Sequence, residues 1–211
     1  MATIRFPQYL KRHGLYLLLF ANERYLPGLI LKRKGDAFRE YDKLKKHLKV
    51  PNLSWQTELV EADMPEVIEG SRQVGAGGNL KLPFLTIGGG LEYNRFVDFR
   101  ISAVDQRIFT DENLWLWNPL SEMLAQLKAN KPRIWKTKLK GRYLVLSTWY
   151  ASKYEVQLGR ALKGDLDANF KKKISPTAGG RMNIDSDNKI VNFYKSTRVP
   201  FAFQGERLVK I

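Results

Sequence analysis

Apolar residues in this chain fall into short runs and alternations more often than into helical stripes, which predicts a β-rich protein with few helices. The segment from Pro7 to Gly14 (PQYLKRHG) reads as a short amphipathic helix, opened by proline and closed by glycine. Leu15–Phe20 follows as an unbroken apolar run, the pattern of a strand buried on both faces. Leu26-Pro27-Gly28 marks a turn, and Leu29–Leu31 begins a second short strand that runs into Lys32-Arg33-Lys34-Gly35. Over residues 37–49, Phe38, Tyr41, Leu44 and Leu48 recur at helical spacing among lysines, predicting a helix that Pro51 ends.

From Glu58 to Val74 the chain is polar, acidic and β-leaning, broken by Pro65 and Gly70. Residues 75–94 are apolar and glycine-rich with no lasting period, and Phe96, Val97, Phe99, Ile101, Val104 and Ile108 then mark a strand. Residues 119–129 predict a helix with Pro119 in its first turn and Leu120, Met123, Leu124 and Leu127 on one face. Lys128–Lys140 reads as a basic connector interrupted by Pro132. A long strand runs from Tyr143 to about Leu158; in its second half Tyr154, Val156 and Leu158 alternate with Lys153, Glu155 and Gln157. Residues 181–195 read as two strands joined by Asp-Ser-Asp-Asn, and Thr197–Ile211 as a final strand. The sum is an α+β chain, residues 1–211, forming one domain: a twisted, mostly antiparallel sheet with peripheral helices.

Composition narrows the function classes. At 211 residues and 44% hydrophobic content the chain can bury a sizeable core. The absence of cysteine removes disulfides, thiolate metal sites and thiol nucleophiles. The apolar run at Leu15–Phe20 is too short for a secretory signal, and no stretch approaches the roughly 20 apolar residues of a spanning helix, so a soluble chain is expected. The net charge of +15 is segregated. Residues 1–50 hold 12 Lys/Arg against 4 Asp/Glu, residues 51–127 hold 5 against 11, and residues 128–173 hold 13 against 3. Two basic blocks around an acidic middle point to a polyanionic partner, either nucleic acid or an anionic lipid surface.

Enzyme chemistry finds little support. Gly75-Ala76-Gly77-Gly78 imitates a dinucleotide fingerprint, but Leu80 occupies the last glycine position and Pro83 opposes a helix there. Gly88-Gly89-Gly90 lacks the Lys-Ser/Thr of a phosphate-binding loop. Both clusters (Gly75, Gly77, Gly78; Gly88, Gly89, Gly90) read as flexible hinges that allow backbone rearrangement. His13 and His47 sit among cations, which opposes metal ligation, and Glu58/Glu61 and Asp111/Glu112 lack a partnering base. No catalytic residue, metal or cofactor is expected. Trp115, Trp117, Trp135, Trp149 and Tyr150 suit core packing first, and after that a bilayer interface or stacking on single strands.

Three segments together resemble the gasdermin pore-forming domain in its compact bacterial form: HGLYLLLF with YLPGLILKRKG; GGGLEYNRFVDFRISAVD followed by NPLSEMLAQL; and GRYLVLSTWYASKYEVQL with GGRMNIDSDNKIVNFYKSTRVPFAFQGERLVKI. The resemblance spans most of the chain as a pattern, with no catalytic signature. It implies a soluble protomer that binds anionic membrane lipids, refolds two regions into amphipathic hairpins, and joins other copies in a large ring-shaped barrel through the cytoplasmic membrane. The outcome it implies is defensive cell death, directed against phage. Roughly 56–108 and 142–195 are the regions with room for hairpins.

Carried over by position, Lys11, Arg12, Lys32, Arg33, Lys34, Lys43, Lys45 and Lys46 would meet anionic headgroups. Leu80, Leu82, Phe84, Leu85, Ile87, Leu91, Phe96 and Phe99 would lie in the first inserting region, and Tyr154, Val156, Leu158, Met182, Ile184, Val191 and Phe193 in the second. The chain departs from the family twice. It lacks the acylated early cysteine of many bacterial members, so electrostatics would carry attachment. It also stops at Ile211, where the family continues into an inhibitory segment, implying either a processed form or restraint by a separate inhibitor or activator. The rival class is a nucleic-acid-binding module using the same basic blocks. No helix-turn-helix, RNP-type strand or zinc finger supports it, and the acidic residues within 56–70 would repel a phosphate backbone, so nucleic acid is not the expected partner.

Overall fold

The computed structural model describes residues 10–11, 14–18, 25–34, 37–62, 67–69, 80–82, 85–87, 96–158, 174–176, 180–185 and 190–209. In chain order its strands are β1 (Leu15–Leu17), β2 (Leu29–Lys34), β3 (Ala37–Lys43), β4 (Thr57–Glu61), β5 (Val67–Glu69), β6 (Leu80–Leu82), β7 (Leu85–Ile87), β8 (Phe96–Phe109), β9 (Tyr143–Leu158), β10 (Ile174–Pro176), β11 (Gly180–Asp185) and β12 (Ile190–Arg207). Between β8 and β9 lie α1 (Glu112–Trp115), α2 (Trp117–Asn130) and α3 (Pro132–Ile134), the last passing into a π turn over Trp135–Leu139. Every strand pair described is antiparallel, so the fold is a mostly antiparallel sheet with a few helices, an α+β protein.

Strand β9 is the spine. One edge pairs with β12 from Tyr143↔Arg207 to Gln157↔Ile190. The other pairs first with β2, at Tyr143↔Leu31 and Leu144↔Ile30, and then with β8, from Thr148↔Arg107 to Leu158↔Phe96. The sheet therefore forks along β9. Its proximal part runs β1-β12-β9-β2-β3, and its distal part places β8 with β4 and β5 on one side of β9 and β12 with β11 on the other. Residues 25–28 fill the fork: the Gly28 N–H donates to the Val145 carbonyl (2.8 Å) and Thr148 Oγ1 donates to the Tyr25 carbonyl (2.7 Å). Gly28 adopts φ of +83°, and a Cβ there would stand 3.1 Å from the Phe109 ring, so conformation and space both call for glycine. A separate three-stranded sheet runs β10-β7-β6.

The proximal part is packed on both faces. Leu144 and Leu146 belong to a core with Leu120, Leu124, Leu127 and Leu139 from the helices. Tyr143 and Val145, the alternate residues of the same strand, belong to a second core with Leu31, Phe38 and Phe203. This is why Tyr143–Leu146 is continuously apolar: successive side chains enter opposite cores, each buried leucine being worth about 1.5–3 kcal/mol. In α2 the buried leucines 120, 124 and 127 lie on one face with half-buried Met123, as their spacing predicts.

Three expectations are corrected. Residues 37–49 form no helix: Ala37–Lys43 is β3, followed by a 3₁₀ turn at Leu44–Lys46. Pairing with β2 prevails over the local period, because it inserts the Phe38 ring between Tyr143 (5.1 Å between centroids) and Phe203 (5.0 Å). Leu44 and Leu48 are still buried, from the turn and the segment after it. Lys128–Lys140 is no extended connector: α2 continues to Asn130, Pro132 opens the next helix as its first residue, and Trp135 and Leu139 are buried at i,i+4 spacing. The two strands expected over 190–195 and 197–211 are one 18-residue strand, β12. It accommodates Pro200 at one of its register shifts, where a missing N–H disturbs the ladder least.

Candidate functional site

The two basic blocks of the sequence meet on one tyrosine. Tyr41 of β3 carries the Arg142 guanidinium 4.8 Å from its ring centroid and the Lys138 ammonium at 5.7 Å, and its hydroxyl lies 3.4 Å from the Thr137 carbonyl. Each cation–ring contact at such an exposed position is worth about 0.5–1 kcal/mol. Lys32 and Arg39 are register partners across β2 and β3 and both are exposed. Lys43, Lys45, Arg133, Lys136 and Lys140 are exposed as well. No carboxylate among the described residues pairs with Lys136, Lys138, Lys140 or Arg142, and Arg142 Nε is buried with no hydrogen-bond partner. Tyr41 thus joins β3, in the first basic block, to Lys138 and Arg142 of the second, some hundred positions away.

Asp42 neutralises part of this charge. Its carboxylate accepts from Lys46 (3.4 Å), from His47 Nε2 (2.9 Å) and from the Lys43 N–H (2.8 Å). Burial pushes this carboxyl up, but the His47 and Lys43 hydrogen bonds outweigh it and hold it below the ordinary range. Asp111 likewise sits low, because the Ser54 N–H (3.0 Å) and the Asn113 N–H (3.0 Å) donate to its two oxygens. It thereby caps α1 and ties down the segment that carries Trp55.

The distal part of the sheet has a different organisation. The register aligns Ile68, Phe99, Val156, Val191 and Ile184 in one row across β5, β8, β9, β12 and β11. The next row reads Arg100, Glu155, Asn192 and Asn183 beside Val67, and the one after it Ile101, Tyr154, Phe193 and Met182. Apolar and polar rows therefore alternate along the sheet. A polar belt divides this region from the packed proximal part. Gln106 Nε2 (2.9 Å) and Trp149 Nε1 (3.2 Å) both donate to the fully buried Ser147 hydroxyl, which donates onward to Gln204 Oε1 (3.4 Å). At the same level Arg198 of β12 pairs with Asp105 of β8 at 2.6 Å.

Of the residues expected to face headgroups, Lys32, Arg33, Lys43, Lys45 and Lys46 lie exposed on the β2–β3 hairpin and its following turn, and Lys11 is exposed in a helical segment. Lys34 ends β2, and Arg12 lies outside the described residues. Of those expected to insert, Phe96, Phe99, Tyr154, Val156, Leu158, Met182, Ile184, Val191 and Phe193 fall on β8, β9, β11 and β12, whereas Leu80, Leu82, Leu85 and Ile87 fall in the separate β6–β7 pair. Phe84, Leu91 and the glycines 75, 77, 78, 88, 89 and 90 lie outside the described residues.

Tyr41, Lys138 and Arg142 were not among the expected site residues. The charge excess of residues 128–173 was visible, but Tyr41 read as one position of a helix stripe. Among the described residues no group of three or more His, Cys, Asp or Glu is placed to hold a metal ion, and no helix is long and apolar enough to cross a membrane. A scan against protein-family models finds no match to this chain, and a search of curated proteins finds none either.

Proposed function

We propose that this chain forms membrane pores: the basic residues around Tyr41 dock on an anionic bilayer, and the distal sheet supplies strands to an oligomeric β-barrel. The observation that carries this reading is the alternation of apolar and polar rows across β5, β8, β9, β12 and β11. A bilayer accepts only backbone whose hydrogen bonds are closed, so strands that enter it must join in a barrel with one face to lipid and the other to water. A crossing strand needs about 9–11 residues; β8 has 14, and β9 has 10 of its 16 beyond the packed Tyr143–Thr148 stretch. The basic residues around Tyr41 support the docking step, since each basic residue near an anionic leaflet contributes about 1 kcal/mol.

In this reading the partners are anionic lipids and further copies of the chain, the protomer starts in the cytoplasm, and the pore opens in the cytoplasmic membrane. The resemblance to gasdermins adds defensive cell death as the outcome. The experiment is dye release from liposomes of graded anionic-lipid content, with DNA binding titrated in parallel. Leakage that rises with anionic lipid and falls in a Lys32→Gln/Lys138→Gln/Arg142→Gln variant is the expected result. Salt-dependent DNA binding with no leakage in any lipid would overturn it and assign the basic residues to a phosphate backbone.

A further inference from the structure

Beside the fork, the ends of β3 and β8 and the segment carrying Trp55 enclose a cleft of about 410 Å³. Phe109 and Trp55 line it, meeting edge to face with centroids 6.1 Å apart. Leu26, an apolar side chain left 41% exposed, also lines it. Two lysines, Lys43 and Lys45, line it against a single carboxylate, Glu40, so its polar lining carries net positive charge. Thr57 adds a hydroxyl whose oxygen lies 3.3 Å from Arg107 Nη1 and accepts from it, leaving the hydroxyl proton free to donate. Apolar walls with a few convergent polar groups, at a volume within about 300–1,000 Å³, are the usual form of a small-molecule site.

We propose that this cleft binds a small amphiphilic anion. Its single carboxylate or phosphate group is held by Lys43 and Lys45, and its compact aromatic or short aliphatic body lies against Trp55, Phe109 and Leu26. Glu40 disfavours a second negative charge on the ligand. The occupant is a monomeric molecule, not a bilayer, and its binding holds whether or not the chain perforates membranes. It touches both branches of the fork, through Leu29 of β2 and Phe109 of β8, so occupancy stabilises the closed sheet by mass action.

The test uses the full chain and follows tryptophan emission and thermal midpoint against octanoate and phenyl phosphate, with octanol and inorganic phosphate as comparators. Saturable changes with the two amphiphilic anions, at concentrations where neither comparator acts, are expected; which anion binds tighter distinguishes an aliphatic from an aromatic source. Trp55→Phe removes the emission change while keeping the thermal shift. Lys43→Gln/Lys45→Gln weakens binding about tenfold or more, and Lys131→Gln, exposed and outside the cleft, leaves it unchanged. Should the double variant not fold, Leu26→Glu places a carboxylate at an exposed position of the cleft and lowers affinity for the anions alone. Equal binding of octanol, equal binding of inorganic phosphate, or indifference to both the lysine and the Leu26 changes would overturn the proposal.

Discussion

The two halves of β9 are one strand with two designs. Residues 143–148 are all buried, and the side chains of Tyr143–Leu146 feed two cores on opposite faces. From Lys153 onward, an exposed residue, apolar and polar positions alternate and the register carries that alternation across four neighbouring strands. The proximal half is committed to one packed arrangement, since any rearrangement there exposes two cores at once. In the distal half the register sets apolar and polar residues in alternate rows, the pattern on which the proposed barrel rests. A single strand thus carries a doubly packed pattern at one end and an alternating one at the other, with Ser147 and Asp105–Arg198 marking the border.

The comparison breaks most readily at its anchor. Leu144→Ala removes a fully buried side chain and should cost about 2–5 kcal/mol in urea unfolding. On the pore reading, Val156→Lys, in the apolar distal row, should instead leave a folded chain whose dye release is lost, because a lysine near a bilayer midplane costs about 2–4 kcal/mol per strand. If both variants lose stability equally, the two-design account fails. Gly205→Ala drives a Cβ into the Leu144 carbonyl, a backbone contact that cannot swing aside, and should cost about 1–3 kcal/mol by the same measurement.

At the border, Ser147→Val leaves the Gln106 and Trp149 donors without their acceptor, at a cost of about 1–3 kcal/mol. On the pore reading it also lowers the barrier to rearrangement, seen as faster leakage at equal protein. The smallest effect is at Tyr41. Tyr41→Ala should cost about 1 kcal/mol or less in stability, yet disperse Lys138 and Arg142 and, on the pore reading, weaken vesicle binding, most visibly at low salt.

A pH scan sharpens the same picture. The folded-state pKa values of Asp42 and Asp111 lie below the ordinary value of 3.8. Their contribution to stability is therefore complete above that value and lost as pH falls through the lowered values. Acidification below about pH 3.8 should release the Trp55 segment from Asp111, read as a change in Trp55 emission that Asp111→Asn abolishes.

The sequence by itself determined whatever depends on neighbours along the chain. The span of β9, the apolar face of α2 and the alternation after Lys153 were legible because strand and helix periods are local. So was the segregation of charge. Only the tertiary structure decided that residues 37–43 are a strand, because Phe38 is worth more between Tyr143 and Phe203 than on a helix of its own. Only it joined the halves of β12 into one strand, since pairing with an unbroken β9 carries the ladder past Pro200. And only it brought the two basic blocks together on Tyr41, because sequence reports how much charge each segment carries, whereas the distance between segments is set by which strands pair and which cores they bury.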